Sequence, residues 1–151
     1  MAEQIIFEDT VSYHLAKVTT AYRTALESHM GSIGLHGGQT FLLLELWDQD
    51  GLRQIDLARR LSISAPTVSK TLNGLMEINL VRRKQIVGDA RATRIFLTEK
   101  GKHIRADVER QWIELEDECL TGLTETERLV LLEVLRKLRK TYTGRQEADE
   151  L

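Results

Sequence analysis

Between Ser64 and Asn73 the sequence SAPTVSKTLN places short hydrogen-bonding side chains at helical intervals. If this stretch is a helix, Pro66, Ser69, Lys70 and Asn73 fall opposite Val68, Leu72 and Leu75, with Thr67 near the N-terminus. Hydroxyls such as those of Thr67 and Ser69 reach base edges or phosphates, the amide of Asn73 matches the donor and acceptor pair on the edge of adenine, and Lys70 neutralises a phosphate. An ordinary polar helix surface carries the same residue types, so the charge context has to decide. From Leu52 to Arg105 there are 12 Lys and Arg against 4 Asp and Glu, whereas the remaining residues hold 9 against 19. The net charge of −2 therefore conceals a basic middle and acidic flanks, the pattern of a surface that meets a polyanion, with a solvated charged surface as the alternative. Arg53, Arg82, Arg83 and Arg94 are the candidate backbone contacts in that segment, with solvent-facing filler the alternative for any one of them. Arg91 is the candidate for insertion into a minor groove.

These side chains need elements to hold them. Ser64 is a good N-cap, Pro66 falls in the first turn where its missing N–H costs nothing, and Asn79 suits a left-handed stop. Upstream, Gln54 to Leu61 reads as a short helix, joined to the next by Ser62-Ile63-Ser64, which makes a helix-turn-helix. Downstream, Leu80 to Val87 and Ala92 to Leu97 read as strands flanking the turn Gly88-Asp89-Ala90-Arg91. A basic hairpin directly behind a helix-turn-helix is the order of a winged helix. Helical period dominates both ends. Val11, Leu15, Val18, Tyr22, Ala25 and Leu26 form one stripe, Gln39 to Trp47 is apolar nearly all round, and Thr98 can cap a long helix running to about Leu120. Thr124-Glu125-Thr126-Glu127 is a capping box for a last helix ending near Tyr142, and the acidic tail after Gly144 frays. The expected architecture over residues 1–151 is one domain, mostly α with a small β-hairpin. A winged helix-turn-helix over about 39–101 is flanked by long dimerisation helices over about 8–30 and 102–142, with a frayed tail at 143–151.

The stretch QIDLARRLSISAPTVSKTLNGLMEINLVRR followed by GDARATRIFLTEKG resembles the MarR family (multiple antibiotic resistance regulators) of dimeric winged-helix transcription factors. The family pattern is carried by Asp89, Arg91, Ile95, Leu97, Thr98 and Gly101, and the chain departs from it at Ala90, where a second basic residue is common. The resemblance implies that Asp89 braces Arg91 through a salt bridge. It further implies a homodimer that presents two recognition helices about 34–36 Å apart to a pseudo-palindromic duplex, with repression as the default. It also implies relief of DNA binding by a small phenolic or anionic aromatic ligand. His14, His36 and Trp47 are the candidate ligand residues, against the plainer reading of Trp47 as core and the histidines as structural.

Other classes are poorly served. The longest apolar runs are four residues, as in Phe41-Leu42-Leu43-Leu44, against the roughly 20 that cross a bilayer, and MAEQIIFEDT has no signal-peptide pattern, so a cytoplasmic protein is expected. Cys119, alone and among Glu116, Asp117 and Glu118, does not suit thiol sensing, and TVSYHL in the first helix lacks the cysteine of the family's peroxide sensors. His29, His36 and His103 show no metal-ligand spacing, no glycine loop or nucleophile motif suggests an enzyme, and no cofactor is expected. A winged helix used for protein interaction and a sequence-indifferent architectural protein remain as alternatives.

Overall fold

A computed structural model describes residues 4–88 and 93–149. Its packing divides the chain into two units, Met1–Leu115 and Glu116–Leu151. In the first, a short 3-10 turn at Phe7–Asp9 precedes α1 (Val11–Gly31), α2 (Gly37–Asp48), β1 (Leu52–Arg53), α3 (Gln54–Leu61), α4 (Ala65–Glu77), β2 (Val81–Gln85), β3 (Thr93–Leu97), α5 (Glu99–His103) and most of α6 (Arg105–Cys119). The second holds the end of α6 and α7 (Glu125–Asp149).

One apolar core organises the first unit. Leu42, Leu43 and Leu46 of α2, Leu57 of α3, Val68, Leu72 and Leu75 of α4, and Ile95 of β3 are all buried in it. The steps of four and three between Val68, Leu72 and Leu75 put them on one side of α4, so covering that side commits the other to solvent. α2 begins earlier than expected because its first N–H groups are satisfied. Gln39 Oε1 accepts from the His36 N–H at 2.9 Å and Glu27 Oε1 from the Gly37 N–H at 2.8 Å. The expected hairpin is present as β2 paired antiparallel to β3, with Val81 opposite Leu97. A third strand was not foreseen. The two residues of β1 pair with the other edge of β3, giving the order β1-β3-β2, and two residues are too short to show an alternating pattern.

Gly101 shows how closely the sheet and the following helix meet. A Cβ there would lie 2.0 Å from the Leu80 carbonyl oxygen, so no other residue fits. Thr98 caps α5 as expected, its hydroxyl accepting from the Gly101 N–H at 3.0 Å. The single helix expected from Thr98 to Leu120 is instead two segments interrupted at Ile104. Just before the interruption, His103 Nδ1 lies 2.6 Å from the Glu99 carbonyl oxygen, and the Ile104 N–H still donates to the Lys100 carbonyl at 3.0 Å.

The α1 stripe is covered only in part. Leu26 and Met30 are buried, while Val11 and Val18 are 78% and 64% exposed. Within the second unit the capping box forms as expected: Glu127 Oε2 accepts from the Thr124 N–H at 2.8 Å, and Thr124 Oγ1 from the Glu127 N–H at 3.3 Å. Leu129, Val130, Leu131, Leu132, Val134, Leu135, Leu138 and Tyr142 of α7 are all exposed. The helix also continues to Asp149, past the end expected near Tyr142 and through most of the tail expected to fray. Arg145, Gln146, Glu147 and Ala148 are good helix formers by type, and one internal glycine at 144 costs only about 1 kcal/mol.

Candidate nucleic-acid interface

α4 starts at a firm cap. Ser64 Oγ accepts from the Thr67 N–H at 3.3 Å and lies 2.8 Å from Thr67 Oγ1, with Pro66 in the first turn. The Ser64 hydroxyl is therefore engaged in starting the helix. Pro66, Thr67, Lys70 and Asn73 are exposed on the side opposite the buried Val68, Leu72 and Leu75. Ser69 is half-buried, and its hydroxyl accepts from Gln54 Nε2 at 3.1 Å. That bond ties the start of α3 to the middle of α4 and fixes the angle between them. Asn79, in the left-handed region at φ 61°, ends the helix-turn-helix as anticipated.

The candidate arginines separate into different environments. Arg53 Nε and Nη2 donate to the two oxygens of Asp56 at 2.8 and 3.0 Å, a bidentate clamp between residues three apart. That hydrogen-bonded guanidinium holds the Asp56 carboxyl below its ordinary pKa, against a small opposing effect of burial. Arg94 Nη1 donates to the Gly51 carbonyl at 2.9 Å. Arg82 lies over the Phe96 ring at 5.5 Å, and Arg83 stands across the ladder from the buried Ile95, on the core-side face of the sheet but itself exposed. Asp89 and Arg91, expected to form the braced tip of the wing, lie outside the described residues. Gln54 and Asp56 were missed as positioning residues. The three-residue spacing of Arg53 and Asp56 was the available signal for one of them, and nothing in the sequence pointed to Gln54.

The expected ligand trio does not come together within the chain. His14 Nε2 bonds the Glu8 carbonyl at 2.7 Å, His36 Nδ1 lies 3.5 Å from Glu27, and Trp47 Nε1 donates to the Gly101 carbonyl at 3.0 Å. His36 and Trp47 stand at opposite ends of α2, and His14 lies 13 positions along α1 from Glu27, so helical rise alone separates each pair by about 15–20 Å. A single small aromatic acid cannot span that, and Trp47 is a peg between α2 and α5. Partial desolvation, followed by Glu118 and Glu116, pushes the Cys119 thiol above its ordinary range.

The arrangement of a capped, half-buried helix, a basic antiparallel hairpin and a third short strand is shared with known proteins. The MarR family profile matches residues 36–93, from the cap of α2 to the start of β3. A transcriptional regulator of the MarR family from Silicibacter pomeroyi is 31% identical, with 91% of this chain and 92% of that one covered at a TM-score of 0.67. The chain belongs to the MarR family. The HTH-type transcriptional regulator TtmR of Methylorubrum extorquens (strain PA1) is also 31% identical over 138 residues, which are 87% of this chain. This chain spans 64% of the length of that relative. The fold is shared with Bordetella bronchiseptica BpsR, whose structure addresses regulation of DNA binding by 6-hydroxynicotinic acid. There the TM-score is 0.81 at 20% identity, covering 90% of this chain and 98% of that one. In this MarR chain the helix-turn-helix of α3 and α4 with the hairpin of β2 and β3 is thus the family's winged helix, and no described helix is long and apolar enough to cross a membrane.

Proposed function

We propose that this MarR-family chain is a homodimeric transcriptional regulator that binds a pseudo-palindromic site on double-stranded DNA. The observation that carries the reading is α4, whose apolar side is wholly buried while Thr67, Lys70 and Asn73 stand in solvent with, among the described residues, no side-chain partner except the cap contact of Thr67. A helix so presented fits a major groove, with Asn73 reading a base, Thr67 and Ser69 reaching bases or phosphates, and Lys70 on a phosphate. Arg53, Arg82 and Arg94 supply backbone contacts, and Arg91 with Asp89 supplies the wing contact that the family resemblance implies. Exposed leucines and valines on α7 and on the first half of α1 favour self-association, since apolar surface of this extent is more stable covered. Repression relieved by a small aromatic or anionic ligand is the regulatory reading, supported by the fold shared with BpsR. Within one chain His14, His36 and Trp47 do not converge on a single ligand, so any of them that contributes does so with other residues.

The test is a titration of labelled duplex from the region upstream of the gene, beside a random duplex of equal length, at several salt concentrations. Strong preference for the upstream duplex with a steep negative salt slope supports the regulator. Equal binding to both favours an architectural role, and no binding to either at low salt overturns the reading.

A further inference from the structure

The outer face of the three-stranded sheet carries an unfavourable arrangement of charge. The register sets Arg53 of β1 opposite Arg94 of β3, and Arg94 opposite Lys84 of β2, so three cations cross the sheet in one row. Directly opposed residues share a face, with Cβ atoms about 4.5–5.5 Å apart, and like charges so placed destabilise a sheet. The fold compensates only partly. Arg53 is held by Asp56, and Arg94 donates to a neutral carbonyl. Among the described residues no carboxylate pairs with Lys84. Beside the row lies an open groove of about 340 Å³, floored by the buried Leu52 and walled by Arg53, Arg94 and, from α3, Asp56 and Arg59. Arg59 reaches the same Asp56 oxygen only at 4.0 Å. Arg60, at the far rim, is already occupied by Glu45 and Asp48 at 3.3 and 3.4 Å. Among the described residues Arg53, Arg59 and Arg94 therefore share one carboxylate around a space of small-molecule size, with Lys84 next to Arg94 in the row.

We propose that this groove is a phosphate site, in which Arg59, Arg94 and the braced Arg53, with Lys84 beside Arg94 in the row, hold one tetrahedral oxyanion, either a backbone phosphate of bound DNA or a free phosphate ester. The Asp56 carboxylate belongs to the site as a brace. Its two oxygens fix the Arg53 fork, and Arg53 and Arg59 both line the groove. Guanidinium forks match a phosphate in shape as well as charge, and an oxyanion turns the repulsion across the row into attraction. The DNA source rests on the reading given above. The Gln54 to Ser69 bond ties the residue that follows Arg53 to α4, the proposed recognition helix. The free-ester source does not need DNA binding at all, and such a ligand would compete for cations that a backbone otherwise uses.

The experiment compares the full chain with the double variant R59Q/K84Q, the charge-keeping variant R59K/K84R and a control, K102Q, which removes a cation from α5 outside the groove. Each is titrated with the upstream and random duplexes over a salt series and, separately, with inorganic pyrophosphate by calorimetry. For a backbone source, R59Q/K84Q weakens both duplexes by one common factor of about 5–20 and lowers the salt slope by about 1–2, while K102Q and R59K/K84R change little. For a free ester, duplex binding is unchanged, pyrophosphate binds the parent chain, and R59Q/K84Q loses that binding at least tenfold. If R59Q/K84Q acts on the duplexes no more than K102Q does, and pyrophosphate is unbound or binds parent and variant alike, the groove is not a phosphate site. Should the parent chain bind neither duplex, the regulator reading fails and the pyrophosphate result alone decides the groove.

Discussion

The helix-turn-helix region and α7 use similar amounts of leucine to opposite ends. In α4 the apolar positions Val68, Leu72 and Leu75 fall on one side and are buried by the same chain, which leaves a polar side free to meet something else. In α7 the run Leu129-Val130-Leu131-Leu132 spreads apolar surface around the helix, and these residues stay exposed, Leu129 by 63% and Val130 by 58%. The first region completes its fold within one chain and offers chemistry. The second offers the surface itself, and its stability depends on what covers it.

The largest effect should come from breaking that second region. Leu135→Glu with Leu138→Glu places two charges on the exposed leucines of α7. We expect sedimentation to show a monomer and duplex affinity to fall by about 10²–10⁴-fold, the factor lost when two linked binding modules become independent. A variant that stays dimeric with unchanged affinity would show that α7 does not carry the association. Leu72→Ala probes the other side of the comparison. It should cost about 2–5 kcal/mol by leaving a cavity beneath α4. Leu138→Ala removes an equal volume where the chain itself leaves the residue exposed, so any loss from it should depend on protein concentration. Thermal melts at several concentrations separate the two, and matching concentration dependence would erase the distinction.

How much of this was legible in the sequence follows the same division. Local chemistry could be read: the Ser64 cap, Pro66 in the first turn, the left-handed Asn79 and the Thr124 to Glu127 box all depend on residues within four positions of one another. The need for glycine at 101 matched the family pattern, although its cause is a carbonyl 21 positions earlier. Long-range pairing could not be read. The row from Arg53 to Arg94 spans 41 positions and depends on a strand of two residues, too short to leave a pattern. The separation of the ligand trio within one chain has a related reason. His36 and Trp47 are individually plausible, but the helix that joins them also holds them apart. α7 exceeded its expected end because a polar sequence with nothing to bury can still be a good helix former.

Smaller effects sharpen the polar side of α4. Asn73→Ala should cost about 1–3 kcal/mol on the upstream duplex and little on the random one, if its amide reads a base. Lys70→Gln should weaken both by similar factors and lower the salt slope by about 1. Competition titrations with the two duplexes check the pair. If Asn73→Ala weakens both equally, Asn73 is a backbone contact and selectivity resides elsewhere.

The smallest effects are expected from acid, and they return to the comparison because each region has, among the described residues, one carboxylate with a lowered pKa. Arg53 lowers that of Asp56, chiefly through its hydrogen bond, and the Thr124 N–H lowers that of Glu127, with the Thr124 hydroxyl next. A carboxyl more acidic when folded stabilises the folded state fully above its unfolded pKa, near 4, and that stability is lost as pH falls through the lower folded value. Both pairs are at the surface, so each contribution is small and screened by salt. Asp56→Asn should remove part of the acid dependence of the helix-turn-helix, followed by urea melts from about pH 5 to 2. Glu127→Gln keeps an acceptor for the Thr124 N–H and should instead reduce the loss of helicity with acid at the start of α7, where unfolding leaves the helix-turn-helix core intact. Identical effects of the two variants on both readouts would mean that the regions unfold as one, and the distinction between a self-completed lobe and a surface awaiting its cover would then fail at the level of stability.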